Sequence, residues 1–192
     1  FLLLLIVWYL YRARWEGNLQ AALWAGVFAG LSLLVRHQFT IVAALGGLVL
    51  LIPRENNRAA WVAALRLVAA YAPAAVLAMV LWGWHNDIRY GSWMRMAGSD
   101  WQRIGDTPLW RGLATLLISP GKGLVWYAPI VLLVPLGFTL LWRRHRGFAA
   151  CSLVMIAALL LLYSSITVPG GHWCWGPRFM VDILALLGVA VA

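Results

Sequence analysis

Three polar segments that combine glycine with basic residues interrupt an otherwise apolar chain of 192 residues. They are residues 86–92 (NDIRYGS), 119–123 (SPGKG) and 170–179 (GGHWCWGPRF). Glycine lets backbone amides approach a ligand closely, and lysine or arginine side chains bind phosphate or carboxylate groups. The chemistry that these residue types favour is therefore the binding of an anionic ligand.

The elements that must position these segments are apolar helices. The chain is 64% hydrophobic and 11% charged, with a mean hydropathy of +0.83, which is typical of a membrane protein. Since about 20 apolar residues span a bilayer, we expect an all-α, polytopic transmembrane bundle with about seven spans in this chain, and we expect residues 1–192 to be part of a single membrane domain. The predicted spans are 1–11, 20–35, 38–52, 59–83, 124–142, 148–168 and 179–192.

The ends of the chain also predict that it is an internal fragment. The first apolar run begins at Phe1 without a methionine, and the last run stops within a predicted helix at Ala192. The run 1–11 lacks the basic start and cleavage site of a signal peptide. We therefore expect the chain to belong to a longer membrane protein.

Arginine content predicts the orientation of the spans. Alternating spans place loops 12–19, 53–58 and 143–147 on one side, and these short loops contain Arg12, Arg14, Arg54, Arg58, Arg143, Arg144 and Arg146. By the positive-inside rule this side is cytoplasmic, so the three polar segments face outward. The net charge of +9 then reflects topology and attraction to anionic lipids rather than nucleic-acid binding.

The external loop 84–123 is long enough to contain structure of its own. Within it, residues 108–118 fit a short amphipathic helix, with Thr107 as N-cap and Pro108 at the first position. Its leucines recur at helical spacing, at positions 109, 113, 116 and 117. We expect this helix to lie on the outer membrane surface.

Basic residues at a common predicted depth on the outer side suggest a shared phosphate site. They are Arg36, Lys122 and Arg178, and the lysine is flanked by Gly121 and Gly123, which would let backbone amides approach the phosphate. The nucleotide-binding P-loop is excluded, because glycine occupies the position of its serine or threonine. The alternative interpretation is that each basic residue only anchors the chain at the lipid headgroups.

Acidic residues and possible metal ligands are few in the outer segments. Asp87 and Asp100 are weak candidates for a catalytic group, and the simpler interpretation pairs them with Arg89 and Arg103. His172 and Cys174 offer two potential ligands without a third, so the sequence predicts no metal site. Cys174 is also predicted on the opposite side of the membrane from Cys151, so no disulfide is expected.

The order of the motifs resembles one group of membrane enzymes. Residues 86–92 (NxxRYGS), 119–129 (SPGKGLxxYAP) and 170–179 (GGxWxWGPRF), together with the stretch 30–36 that ends in a basic residue, are similar to prokaryotic multispanning proteins identified as GT-C-type glycosyltransferases. These in turn are similar to the dolichyl-phosphate-mannose–protein mannosyltransferase family. The resemblance covers roughly residues 20–190, and the last two motifs are its specific part.

This resemblance implies an activity and a location. Such proteins transfer a sugar from a polyprenyl-phosphate carrier to an acceptor on the non-cytoplasmic face, here of a prokaryotic cytoplasmic membrane. The resemblance places the catalytic carboxylate before the first residue of this chain. Aromatic residues of the motifs are candidates for sugar or lipid contact, and they are Trp126, Tyr127, Trp173 and Trp175. The sugar, the acceptor and any divalent metal are left open.

Two other classes of function remain compatible with the sequence. A transporter or channel would need ionisable residues or broken spans at mid-membrane depth. Pro73 and Pro135 could break spans, but neither has a charged neighbour. The other class is a non-catalytic scaffold or lipid-headgroup-binding protein with the same fold.

Overall fold

The computed structural model describes residues 1–36, 39–93, 105, 107–121, 123–165 and 181–191. Its regular elements are α1 (Leu2–Glu16), α2 (Leu19–Val35), α3 (Thr40–Leu51), α4 (Arg58–Tyr90), α5 (Leu109–Leu117), α6 (Leu124–Tyr127), a 3-10 helix (Pro129–Leu133), α7 (Val134–Arg144), α8 (Arg146–Ser165) and α9 (Val181–Val191). No strand occurs within the described ranges. The prediction of an all-α fold is confirmed.

The chain divides into two compact units. The first consists of residues 1–95 and 150–155, and the second of residues 96–149 and 156–192. The first unit contains α1 to α4, and the second contains α5, α6, α7 and α9 with both ends of α8. That both units belong to a single membrane domain over residues 1–192 stays a prediction.

Small residues bring α2 and α4 into close contact in the first unit. A Cβ atom added at Gly26 would overlap the carbonyl group of Tyr71, 3.0 Å from its carbon, and one added at Gly30 would lie 2.9 Å from the Cβ atom of Ala78. Glycines four residues apart on one helix face allow this approach of two backbones, as is common between membrane helices. Residues 26–30 thus form a contact of the GxxxG type.

Tyr71 also joins α4 to α3. Its hydroxyl group donates a hydrogen bond to the carbonyl oxygen of Ala43 at 2.7 Å, and its side chain is buried. Helix α4 continues through Pro73 to Tyr90 without interruption. The core of the first unit is thus built around α2, which packs against α1, α3 and α4.

Loops at one end of the first unit are joined by hydrogen bonds. Arg54 donates two hydrogen bonds to the carbonyl oxygen of Arg14, at 2.8 and 2.5 Å, and so satisfies the C-terminal end of α1. Gly17 ends α1 in the left-handed region with φ 72°. Asn18 and Asn57 cap the next helices, each accepting a bond from a backbone amide three residues ahead. We call residues 12–19 and 52–58 the basic end.

The predicted span 124–142 is wrong as a continuous helix. Helix α6 ends at Tyr127, a 3-10 helix follows, and α7 begins only at Val134. Pro129 is the physical cause, because its ring excludes the preceding residue from helical geometry. Ala128 accordingly adopts φ −143° and ψ 70°.

Helix α8 separates two chemically different ends of the second unit. Its 20 residues extend about 30 Å, the thickness of a bilayer core. At its C-terminal end Gly105 donates a backbone hydrogen bond to Ser165 at 2.8 Å, and a Cβ atom at Gly112 of α5 would lie 2.6 Å from Cα of Ser164. Arg143 and Arg144 precede its N-terminal end.

The number of spans is only partly supported. Among the described residues, α4 and α8 are the two helices long and apolar enough to cross a membrane, whereas α2 and α3 are apolar but shorter. With 12 residues, α3 extends about 18 Å. The loop predicted to start at residue 84 also begins later, because α4 continues to Tyr90.

Candidate functional site

The predicted site residues fall in both units and partly outside the described residues. Arg36 and Asp87 belong to the first unit, and the second contains Gly121, Gly123, Trp126 and Tyr127. Lying outside the described residues are Asp100, Lys122, Trp173, Trp175 and Arg178. The gathering of the three basic residues around one phosphate therefore stays a prediction.

Backbone hydrogen bonds close the turn between α5 and α6. The amide of Ser119 donates to the carbonyl oxygen of Ala114 at 3.0 Å, and the amide of Gly123 donates back to the carbonyl oxygen of Ser119 at 2.6 Å. A Cβ atom at Gly123 would lie 2.6 Å from backbone atoms of Ile118 and Ser119, so this closure requires glycine. We call residues 118–123 the closed turn.

Aromatic side chains of α6 reach back to the closed turn. The indole Nε1 of Trp126 donates to the carbonyl oxygen of Ile118 at 2.7 Å, and the hydroxyl group of Tyr127 donates to the carbonyl oxygen of Gly121 at 3.0 Å. The side chains remain 63% and 45% exposed. Their polar atoms therefore hold the turn, while their ring faces stay accessible to a lipid or sugar.

Gly121 differs from Gly123 in its surroundings. A Cβ atom at Gly121 would have no heavy atom within 4 Å, and the residue is exposed. The packing of the described residues therefore does not require glycine at position 121. The open space at Gly121, which is next to Lys122 in sequence, leaves room for the predicted approach of a phosphate.

Arg36 lies at the C-terminal end of α2. Its backbone amide donates to Ser32 at 2.9 Å, and its carbonyl oxygen accepts from Phe39 at 3.0 Å. The residue is half-buried and has an extended backbone, with φ −145° and ψ 117°. This backbone conformation ends the helix.

The first polar motif forms the C-terminal cap of α4. Gly91 has φ 66°, and its amide donates to the carbonyl oxygen of Asp87 at 2.8 Å. Buried Asn86 donates from Nδ2 to the carbonyl oxygen of Trp93 at 3.4 Å. The Trp93 ring also covers Gly83, where an added Cβ atom would lie 2.9 Å from Cζ3. This packing explains the glycine and asparagine of the motif without a ligand.

The predicted pairing of Asp87 with Arg89 is wrong. Both residues lie on the last turns of α4, and side chains two positions apart on a helix do not face each other. The guanidinium of Arg89 lies 5.6 Å from the ring centroid of Tyr90 instead. Asp87 is exposed at the end of α4 and forms no ion pair within the described ranges.

Metal ligands do not gather in the part of the chain that the structure describes. No group of three or more histidine, cysteine, aspartate or glutamate side chains is found there. Cys151 is a free, buried cysteine. That it forms no disulfide with Cys174 stays a prediction, because Cys174 lies outside the described residues. Binding of a divalent metal stays open.

No protein-family model, curated protein or solved structure matches the chain significantly. The resemblance to GT-C-type glycosyltransferases therefore remains one of motif order and spacing.

The sequence analysis missed a groove at the basic end. This groove of about 650 Å³ lies between the α1–α2 turn and the first turns of α4, and its lining includes Gly17, Leu19, Arg58, Val62, Arg66 and Leu67. The signal for it was the spacing of residues 58, 62 and 66, which places two arginines and an intervening valine on one face of a helix.

Positive charge is concentrated around this groove. Burial and then the neighbouring Arg54 guanidinium lower the pKa of Arg14. Arg58 and Arg66 are both exposed. The lining of the groove therefore combines apolar side chains with two arginines.

Proposed function

We propose that the chain is part of a polytopic integral membrane protein with about seven spans. The main support is the burial of α4, whose apolar window has a mean hydropathy of 1.9 but is only 22% buried. A core helix of a soluble protein with this hydropathy would be largely covered by its neighbours. Exposed apolar residues along α4 suit a hydrocarbon solvent.

The packing and polarity of the helices support the same proposal. The GxxxG contact between α2 and α4 is a mode of association that does not depend on removing apolar surface from water. The length of α8 suits a bilayer, with Arg143 and Arg144 before one end and α5 packed at the other. In this proposal the basic end and residues 143–147 are cytoplasmic, and the closed turn is external.

We further propose that the protein transfers a sugar from a polyprenyl-phosphate carrier to an acceptor on the non-cytoplasmic face. The observation that carries this proposal is the construction of the closed turn, which hydrogen bonds from Trp126 and Tyr127 hold in place. Enzymes stabilise developing charge with groups that need not reorganise during the reaction, and a fixed turn suits this requirement. Gly121 leaves open space for a phosphate.

The chemistry is an inverting displacement. The acceptor hydroxyl oxygen attacks the anomeric carbon, a carboxylate accepts the hydroxyl proton, and the bond from that carbon to the phosphate oxygen breaks. Polyprenyl phosphate leaves with the bonding electron pair. Its charge is stabilised by Arg36, Lys122 and Arg178 in this proposal, while the lipid lies against the ring faces of Trp126 and Tyr127.

An assay of sugar transfer tests this proposal. The protein is reconstituted in liposomes with a panel of radiolabelled polyprenyl-phosphate sugars, and Arg178→Ala is compared with the wild type. We expect turnover that Arg178→Ala reduces by at least about 100-fold, because a charge-assisted contact to the leaving phosphate is lost. Protease protection measures whether insertion is unchanged.

Each other result would contradict part of the proposal. Equal losses of insertion and activity in Arg178→Ala would assign this residue to structure. Failure of the wild type to bind or turn over any carrier would exclude sugar transfer and favour a scaffold or transporter. Residues 67–84 of α4 contain no charged residue, which weighs against an ion pathway along this helix.

A further inference from the structure

The groove at the basic end contains positive charge that nearby carboxylates do not neutralise. Within the described part of the chain, the one ion pair joins Arg12 to Glu16 at 2.9 Å. Glu55 accepts a hydrogen bond from Asn57 at 2.7 Å. The two acidic residues near this end are thus engaged elsewhere, and Arg58 and Arg66 face the groove without an acidic partner among the described residues.

The positions of these arginines suit a phosphate at the membrane surface. Their Cα atoms are eight residues apart on α4, which is about 12 Å along the helix axis. Arg58 is at the first residue of α4, and Arg66 lies within its apolar segment. The long side chain of Arg66 must extend towards the headgroups, and therefore towards Arg58. Guanidinium groups bind phosphate through paired hydrogen bonds.

The floor of the groove has the chemistry of a site for an acyl chain. Leu19 and Val62 line it together with the two arginines, and these apolar side chains are 49% and 43% exposed. A volume of about 650 Å³ is within the usual range of small-ligand sites. A soluble anion would leave Leu19 and Val62 exposed, whereas a lipid would cover them while its phosphate contacts the arginines.

We propose that this groove binds an anionic glycerophospholipid of the inner leaflet. Its phosphate lies between Arg58 and Arg66, and one acyl chain covers Leu19 and Val62. This inference rests on the membrane insertion and orientation proposed above, and it does not require sugar transfer. The lipid attaches the N-terminal part of α4 to the α1–α2 turn at the cytoplasmic surface.

Native mass spectrometry of the purified chain in detergent micelles tests the proposal. Phosphatidylglycerol and phosphatidylcholine with identical acyl chains are titrated against wild type and against Arg58→Gln/Arg66→Gln. The matched control is Arg143→Gln/Arg144→Gln, which removes the same charge from exposed positions outside the groove. We expect the wild type and the control to bind phosphatidylglycerol more tightly than phosphatidylcholine, and the groove variant to lose roughly 30-fold in affinity for phosphatidylglycerol.

Further variants and a competitor identify the ligand. Arg58→Lys/Arg66→Lys keeps the charge and should keep most of the preference for phosphatidylglycerol. Excess glycerol 3-phosphate, which has no acyl chains, should not displace the lipid. Thermal unfolding checks that the variants are folded.

Several results would overturn the proposal. The first is equal binding of the two lipids by the wild type. The second is an equal loss of affinity in the control at residues 143 and 144. The third is displacement by glycerol 3-phosphate, which would show that the groove binds a free anion. Extraction of wild-type membranes with alkaline carbonate separates this question from insertion. Release of the chain would contradict membrane insertion itself, whereas retention without lipid preference would contradict only the groove.

Discussion

The contact between α2 and α4 predicts a large difference between two apparently similar substitutions. Gly26 and Gly47 are both within helices of the first unit, and both are near Tyr71. A Cβ atom at Gly26 would overlap the carbonyl group of Tyr71, 3.0 Å from its carbon and 3.2 Å from its Cα. A Cβ atom at Gly47 would be 3.8 Å from Cε1 of the same residue, which is an ordinary contact.

The magnitude follows from these distances. The carbonyl oxygen of Tyr71 is closer to the added Cβ atom than its carbon is, so Gly26→Ala must move α2 away from α4 by roughly 1 Å, and a gap of that size forfeits about half of each dispersion contact. The obstacle is backbone, which cannot rotate aside. We expect the free energy of unfolding to fall by about 2 kcal/mol. Gly47→Ala should be neutral or stabilise by up to about 1 kcal/mol, because alanine favours helix.

Unfolding in mixed micelles with increasing dodecyl sulfate measures both variants. The fluorescence of the 13 tryptophans reports the transition. Equal free energies of unfolding for Gly26→Ala and Gly47→Ala would refute the argument, because both substitutions have the same helix propensity and only the distance to Tyr71 differs.

A double substitution distinguishes contact with the backbone from contact with the side chain. A Cβ atom at Gly46 would be 2.7 Å from the hydroxyl oxygen of Tyr71. Tyr71→Phe removes that oxygen and should partly rescue Gly46→Ala. It should not rescue Gly26→Ala, whose obstacle is the backbone of residue 71. Rescue of both variants would show that Tyr71 acts through its side chain alone.

The remaining predictions concern the second unit. Gly123→Ala should open the closed turn and lower both the free energy of unfolding and any sugar transfer. Gly121→Ala has no heavy atom near its Cβ position and should leave the free energy of unfolding unchanged. Equal free energies of unfolding for the two variants would contradict this geometry. Gly112→Ala should separate α5 from the end of α8, and faster proteolysis within residues 105–121 would report it. Tyr127→Phe removes one hydrogen bond to the closed turn and should destabilise by about 1 kcal/mol in the same unfolding assay.

Sequence patterns predicted elements better where local chemistry decides them. Pro108 and the leucine spacing predicted a helix over 108–118, and the structure places one at Leu109–Leu117. The predicted N-cap was wrong, because Pro108 rather than Thr107 occupies that position. Hydropathy placed the end of α4 at residue 83, because it measures suitability for lipid rather than helix formation. Polar residues continue the helix to Tyr90, where Gly91 ends it. Hydropathy also missed the break before Pro129, since an apolar proline does not change the average.

Contacts between distant residues could not be predicted in the same way. The bonds from Arg54 to the carbonyl oxygen of Arg14 join residues 40 positions apart, and no local pattern specifies them. The arginine spacing on α4 was visible, but the groove also needs the α1–α2 turn opposite it. The predicted phosphate site has the same difficulty, because its basic residues come from three separate segments.

Hydrogen bonds to backbone carbonyl groups distinguish polar side chains with a structural role from those available to bind a ligand. Carbonyl groups near helix ends lack partners within the helix, and this deficit is most costly in an apolar solvent. Arg54 satisfies the end of α1, and Trp126 and Tyr127 satisfy carbonyl groups that follow α5. The polar atoms of these side chains therefore have a structural role. In Trp126 and Tyr127, only the ring faces remain available to a ligand.

The same reasoning identifies the residues with which a ligand would interact. Arg58 and Arg66 line a groove, and neither has an acidic partner in the described ranges. Gly121 has open space beside it that no neighbouring atom fills. In the proposed orientation the arginines face the cytoplasmic leaflet and the glycine faces outward. A lipid phosphate at the first position would hold the first unit at the membrane, whereas a carrier phosphate at the second would react. Substitutions at residues 58 and 66 should therefore alter lipid binding without abolishing sugar transfer, and a complete loss of transfer would contradict this separation of the two sites.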